Sequence, residues 1–262
     1  MMQPLQGSFV ALVTPMSANG SLDFDALEGL IEWHVESGTD GIVSVGTTGE
    51  SATVSVPEHL EIIEKTIEFV DGRVPVIAGT GGNSTQEAVE LTQKASELGA
   101  DYALIVTPYY NKPNQEGLFQ HFIKIADSVE IPQILYNVPS RTACDLSPQT
   151  VSRLAEHQNI IGIKEALDSS ERLSELIRIS QSIADQKNFS IFSGDDPSFN
   201  SFMANGGDGV ISVAANIVPK YISQICSLNL SDQFDDANEI NSLLENLYEL
   251  LFVESNPIPV KW

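Results

Sequence analysis

Residues 75–108 read PVIAGTGGNSTQEAVELTQKASELGADYALIVTP, and this stretch decides the fold. It opens with a short apolar run at 75–80 and crosses a glycine-rich turn. It then reaches Ser84-Thr85-Gln86-Glu87, cap chemistry ahead of a first helical turn. An amphipathic stretch follows at 85–98, Gly99 closes it, and a second apolar run covers 102–108. Both runs are continuously apolar rather than alternating, so both faces of each strand are buried, as in a parallel sheet covered by helices.

The unit recurs along the chain. Apolar, β-branched runs lie at 8–15, 41–47, 75–80 and 102–108, then at 133–138, 160–165, 190–193 and 209–213. Amphipathic stretches fall between and after them at 24–37, 56–69, 85–98 and 118–127, then at 148–156, 171–183, 197–205 and 219–228. Ser147-Pro148-Gln149 is a further helix start, and Gly38, Gly72 and Gly206 stand at helix ends. Eight such units predict an α/β fold, a (β/α)8 TIM barrel over residues 1–228. Residues 229–262 read as the start of a C-terminal helical extension, with a helical stretch at 234–252. The end at Pro257-Ile258-Pro259-Val260-Lys261-Trp262 is apolar, where termini are usually polar, and so reads as truncated. A doubly wound open sheet is the competing architecture. Its dinucleotide loop has one candidate, Gly79-Thr80-Gly81-Gly82-Asn83, which lacks the third glycine in register.

Composition narrows the partners. The 262 residues are 42% hydrophobic, enough for a globular core, and no run approaches the ~20 apolar residues of a membrane helix. The first seven residues lack the basic and apolar regions of a signal peptide. Cys144 and Cys226 form no C-x-x-C pair, so neither a disulfide framework nor a zinc knuckle is expected, and the expected location is cytoplasmic. The net charge of −23, from 36 acidic against 13 basic residues, disfavours nucleic acid and anionic membranes. It suits a solvated acidic surface or, less simply, a basic partner.

In a barrel the chemistry sits at the C-terminal ends of the strands. Those ends carry Thr14, Gly46-Thr47-Thr48-Gly49-Glu50, Thr107-Pro108-Tyr109-Tyr110-Asn111 and Tyr136-Asn137-Val138-Pro139-Ser140-Arg141-Thr142. Lys164-Glu165, Gly194-Asp195-Asp196 and Ile211-Ser212 complete the set. His34, His59, His121 and His157 are placed in helical segments at no ligand spacing, so no metal is expected. Lys164 stands out, because it lies in the apolar run Ile160-Ile161-Gly162-Ile163-Lys164-Glu165-Ala166. Loss of hydration at a strand end favours the free amine that attacks a carbonyl. The plainer alternative is a lysine paired with Glu165 or extended past the strand. Thr47 and Thr48 sit on a glycine-bracketed turn suited to a carboxylate, or simply on a tight turn. Tyr136, on the neighbouring strand, is within reach of a group on Lys164. Tyr109-Tyr110 suits a hydrophobic plug or a subunit contact. Arg141 suits a bidentate carboxylate clamp or a surface ion pair.

Taken together, Gly-Thr-Thr-Gly-Glu, Thr-Pro-Tyr-Tyr-Asn, Tyr-Asn-Val-Pro-Ser-Arg-Thr, Gly-Ile-Lys-Glu-Ala and Ser-Gly-Asp-Asp occur in this order on successive strand ends. That constellation resembles the 4-hydroxy-tetrahydrodipicolinate synthase (dihydrodipicolinate synthase) family, within the pyruvate-dependent class I aldolases related to N-acetylneuraminate lyase. The resemblance runs from Gly7 to Trp262, and members of the family continue beyond Pro-Val-Lys-Trp into a further helical tail. It implies a lyase of the diaminopimelate route to lysine that condenses pyruvate, as a Schiff base on Lys164, with L-aspartate 4-semialdehyde. It implies no metal or organic cofactor. Thr47, Tyr110 and Tyr136 match a proton relay, with Tyr110 reaching into a neighbouring subunit of a homotetramer built as a dimer of dimers. Thr48 matches the hydroxyl that holds the pyruvate carboxylate, and Arg141 the arginine that takes the semialdehyde carboxylate. Gly194 and Ile211 match positions lining the site. Ser51, Ala52, His59, Asn83, Glu87 and Tyr109 match a lysine-inhibition site at a subunit cleft, although Val56 stands where inhibited members often have histidine. For His59 alone, a solvated helical residue is the simpler reading. Two alternatives remain: another aldolase of the same superfamily, which generally lacks an arginine at position 141, and a catalytically silent barrel serving as a binding protein.

Overall fold

The computed structural model describes residues 5–262 and forms a closed barrel of eight parallel strands paired in sequence order, β8 returning to β1. The strands are β1 (Gly7–Ala11), β2 (Gly41–Ser44), β3 (Val76–Gly79) and β4 (Tyr102–Val106). They continue as β5 (Gln133–Asn137), β6 (Ile160–Glu165), β7 (Ser190–Ser193) and β8 (Gly209–Ser212). Helices α1 (Phe24–Glu36), α2 (Val56–Val70), α3 (Thr85–Leu98) and α4 (Gln115–Ser128) cover the first four strands. A single turn, α5 (Pro139–Thr142), precedes α6 (Pro148–Ala155), α7 (Ser170–Ile183), α8 (Phe199–Ala204) and α9 (Pro219–Leu230). Three more follow: α10 (Phe234–Ser242), α11 (Glu245–Leu251) and α12 (Ile258–Lys261). The barrel expected from the sequence is the fold observed. No helix among the described residues is long and apolar enough to cross a membrane.

Local chemistry explains the elements. Ser84 and Ser147 cap α3 and α6 as expected, accepting from the backbone of Glu87 and Thr150. Ser55 and Glu58 form a reciprocal capping box at α2 that the sequence reading passed over. Three other readings are corrected. The stretch 234–252 is two helices, broken at Leu243-Leu244. His157 lies in the turn after α6 rather than in a helix. The apolar runs 8–15, 41–47 and 102–108 end as strands at Ala11, Ser44 and Val106, and their remaining residues are the loops that carry the candidate site.

A repeated turn builds the N-terminal rim. Gly38-Thr39-Asp40, Gly99-Ala100-Asp101 and Gly206-Gly207-Asp208 each lead into an even-numbered strand, with the first glycine at φ between 82° and 102°. Each aspartate then bonds twice to one residue of the preceding strand. Its carboxylate accepts from the N–H of Ser8, Val76 or Ile191 at 2.7–2.8 Å, and its own N–H donates to that residue's carbonyl at 2.8–3.0 Å. The remaining pair, β5–β6, lacks this device, because Asn159 turns its side chain to the carbonyls of Ala126 and Val129. There the pairing shifts: Gln133 pairs with Ile160 but Ile134 with Gly162, leaving Ile161 as an extra residue on β6. Ile161 packs inside the barrel and Ile163 packs outside against the helices, so the bulge changes the strand's phase. Lys164 consequently faces inward.

Two buried histidines weaken the fold as pH falls. His34 and His121 each bond a threonine hydroxyl through Nδ1, at 3.0 and 2.9 Å, while Nε2 of each is buried without a partner among the described residues. Burial pushes both down to about 4. The unfolded chain binds these protons near pH 6.5, so their contribution to stability is present above that value and is lost as pH falls towards 4, by at most roughly 3 kcal/mol each. Burial raises Glu165 to about 7 and Asp208 to about 6, which acts in the opposite sense as pH falls. Calorimetry should therefore show a smaller loss of Tm between pH 6.5 and 4 in a His34→Asn/His121→Asn variant than in the parent. Equal slopes would remove the histidines from the account.

Candidate active site

Lys164 is 5% exposed at the end of β6, its Nζ 4.4 Å from the ring centroid of Tyr136 on the register partner position of β5. The pairing with Glu165 is excluded by geometry. Successive strand residues face opposite ways, so Glu165 points to the outer layer, where Asn137 Nδ2 donates to both its oxygens at 3.1 and 3.0 Å. Gly194 on the loop after β7 makes room for the lysine: a Cβ there would stand 2.9 Å from Lys164 Cε. Ile211 joins Tyr136 in the apolar cluster inside the barrel. Lys164, Tyr136 and Ile211 thus form one buried centre, with Gly194 at its edge.

The loops above it are held by polar contacts. Asn137 also donates to Asp145 at 2.8 Å and accepts from the N–H of Leu146 at 3.0 Å, and Arg172 bonds Asp145 and the Leu146 carbonyl, each at 2.7 Å. Asp196, fully buried, accepts from the Ser212 hydroxyl and the N–H groups of Val213 and Ala214, fixing the end of β8. Backbone strain concentrates on the same rim. Of seven described non-glycine residues at positive φ, five (Val45, Glu50, Tyr110, Lys112 and Ala143) lie on loops after β2, β4 and β5. Val45, β-branched at φ 50°, is the sharpest of them and directly precedes the Gly46-Thr47-Thr48 turn. Within that turn Gly49 is the glycine that packing demands, since a Cβ would lie 2.9 Å from Val45 Cα. Gly46 is not, because its Cβ would meet only Val43 Cγ1 at an ordinary 3.5 Å.

A cavity of about 430 Å³ opens on these loops and is lined by Thr47, Tyr109, Arg141 and Asn256 among others. Arg141 is exposed on α5 and donates from Nη2 to the Asn256 carbonyl at 3.0 Å. Thr48 is buried, and its Oγ1 accepts from Asn256 Nδ2 at 3.0 Å. Tyr110 stands apart, 90% exposed on the loop after β4. No group of three or more His, Cys, Asp or Glu among the described residues has the arrangement of a metal site.

The sequence matches the model of the dihydrodipicolinate synthetase family over residues 4–262. The chain belongs to that family. It is 57% identical over 257 residues to the 4-hydroxy-tetrahydrodipicolinate synthase of Teredinibacter turnerae, an alignment covering 98% of this chain and 87% of that one. Its structure is similar to the chloride-inhibited dihydrodipicolinate synthase of Acinetobacter baumannii complexed with pyruvate. That match has a TM-score of 0.93 and 51% identity, and covers 98% of this chain and 87% of the other. It is also similar to the enzyme from Cyanidioschyzon merolae with lysine bound, with a TM-score of 0.92, 37% identity, and coverage of 99% and 87%.

The residues matched to the family's inhibitory site gather in the same cavity, whose walls include Ser51, Ala52, His59, Glu87 and Tyr109. Asn83 lies behind them, donating to the Tyr109 carbonyl at 3.2 Å. His59 is not the solvated helical residue of the simpler reading: it is 5% exposed, bonded at 2.8 Å to the Gly79 carbonyl, and burial lowers its pKa. Val56 is half exposed at the cavity wall. Sequence reasoning missed Asn256, which reaches both Thr48 and Arg141 from the far end of the chain. Its only local signal is the Asn-Pro dipeptide, which marks a turn but names no partner.

Proposed function

We propose that this protein condenses pyruvate with L-aspartate 4-semialdehyde to give 4-hydroxy-tetrahydrodipicolinate, in the diaminopimelate route to lysine. The observation that carries the proposal is the buried Lys164 amine, turned into the barrel beside Tyr136. The amine adds to the keto carbon of pyruvate and water leaves, forming the imine. Loss of a methyl proton gives an enamine, whose carbon attacks the aldehyde; the amino group of the semialdehyde then adds to the imine carbon, closing the ring and expelling the Lys164 amine. The imine itself is the electron sink, so the reaction needs neither metal nor organic cofactor.

Tyr136, Thr47 and Tyr110 move the protons. Tyr136 lies against the amine, Thr47 lines the cavity, and Tyr110 works in the site of a second copy, for which its outward, strained placement is suited. That arrangement calls for a homo-oligomer, a tetramer made of two dimers. Thr48 holds the pyruvate carboxylate, Arg141 takes the carboxylate of the semialdehyde, and Gly194 and Ile211 line the centre. Free lysine is the inhibitor suited to the cavity walls at Ser51, Ala52, His59, Asn83, Glu87 and Tyr109. Residues 5–228 make up the barrel domain and 229–262 a helical segment packed on it; the setting is the cytoplasm. Within the superfamily, Arg141 favours a short carboxylated aldehyde over a polyhydroxylated chain.

A coupled assay tests the reading. Turnover should appear with pyruvate and aspartate semialdehyde, and sugar-acid substrates should give less than about 1% of that kcat/KM, a loss of roughly two decades for an unmatched charged clamp. Preferential turnover of a sugar acid would assign the protein to another aldolase class.

A further inference from the structure

The loop between α11 and α12 places one residue against both Thr48 and Arg141. Asn256 is 6% exposed; its amide Nδ2 donates to Thr48 Oγ1 at 3.0 Å, and its backbone carbonyl accepts from Arg141 Nη2 at 3.0 Å. Lys261, on the following turn, ties the same segment to Glu50.

A threonine hydroxyl has one proton and two lone pairs. Because Thr48 Oγ1 accepts from Asn256, its proton cannot point along that line and is left to donate elsewhere. Among the described residues Thr48 Oγ1 has no other side-chain or backbone bond, and Asn256 Oδ1 is buried without a partner. An unpaired buried carbonyl costs folding free energy, and a smaller or apolar side chain here would avoid that cost. The buried amide carries that cost at its oxygen while its N–H end is engaged with the Thr48 hydroxyl.

We propose that Asn256 is a positioning residue that aims the Thr48 hydroxyl at the carboxylate of the keto-acid substrate. The proposal rests on the reading that Thr48 binds that carboxylate. Its side chain and its backbone have separable roles: the amide serves the first substrate through Thr48, and the carbonyl anchors the arginine that meets the second.

Asn256→Ala removes the amide and keeps the carbonyl. It should raise KM for pyruvate roughly tenfold, with kcat and KM for the aldehyde substrate each within about twofold of the parent. In a Thr48→Val background the same substitution should change KM for pyruvate by less than about twofold, because the hydroxyl it acts on is gone. Lys261→Ala, which frees the segment without touching the amide, should lower Tm and leave both KM values unchanged. If Thr48→Val alone leaves KM for pyruvate unaltered, the reading of Thr48 falls and the proposal with it. If Thr48→Val raises it but the Asn256→Ala effect multiplies in full in the double variant, only the positioning role is overturned. Equal rises in both KM values from Asn256→Ala, or from Lys261→Ala, would show that the segment acts as a structural brace.

Discussion

Lys164→Ala should abolish the borohydride-trapped adduct with pyruvate and lower kcat/KM by on the order of 10⁴-fold or more, the scale expected when a covalent catalyst is removed. The argument is one of position. Lys164 is the inward-facing amine at the catalytic rim, with Tyr136 against it and Gly194 leaving room for its stem. The molecule contains one serious competitor. Lys187 is half-buried, and desolvation lowers it to about 8, the direction that favours a nucleophilic amine. Yet its Nζ is spent on the carbonyls of His157 and Ile160, at the start of β6 and so at the opposite end of the barrel from the cavity. Peptide mapping of the reduced adduct separates the two. A label on Lys187, or on the exposed Lys112 or on Lys261, would overturn the assignment, and so would trapping that survives the alanine variant.

Arg141→Ala should raise KM for aspartate semialdehyde by about 10–100-fold, the loss expected for one charge-assisted clamp, and change KM for pyruvate much less. One Nη2 bond goes to the Asn256 carbonyl, and the rest of the five-donor fork remains for a ligand in the cavity. The net charge of −23 makes this local donor matter more, since the long-range field repels both carboxylated substrates. Arg141→Lys keeps the charge and loses the planar fork, so its KM should fall between parent and alanine variant. An equal rise in both KM values would assign Arg141 to holding the loop rather than to recognising a substrate.

The barrel was legible because its signals are local. Continuous apolar runs, Ser caps and helix-ending glycines lie within a few residues of the elements they define, and all eight strands were placed from them. The lysine was legible for a related reason: an amine inside an apolar run contradicts its surroundings. What escaped depends on contacts between distant parts of the chain. Asn256 meets Thr48 across 208 residues, and no window of sequence contains both. The burial of His59 against the Gly79 carbonyl escaped for the same reason, since helical periodicity gives a residue's face but not what covers it. The overrun of the strand readings at 41–47 and 102–108 has a different cause. Val45, Thr47 and Thr107 are good strand residues by propensity, and the turns that hold them are strained.

The extra residue in β6 makes catalysis a matter of parity. Side chains on a strand take one of two sides, and Lys164 shares the side of its partner Tyr136 because Ile161 is passed over in the pairing. Pair that residue regularly instead and the amino acids downstream stay the same while each changes sides: the amine would enter the helical layer and Glu165 the barrel. A protein with the Gly-Ile-Lys-Glu run intact, the same number of strands and the same helices can therefore be an inert relative. The motif is a word whose meaning depends on whether an odd or an even number of paired residues stands before it.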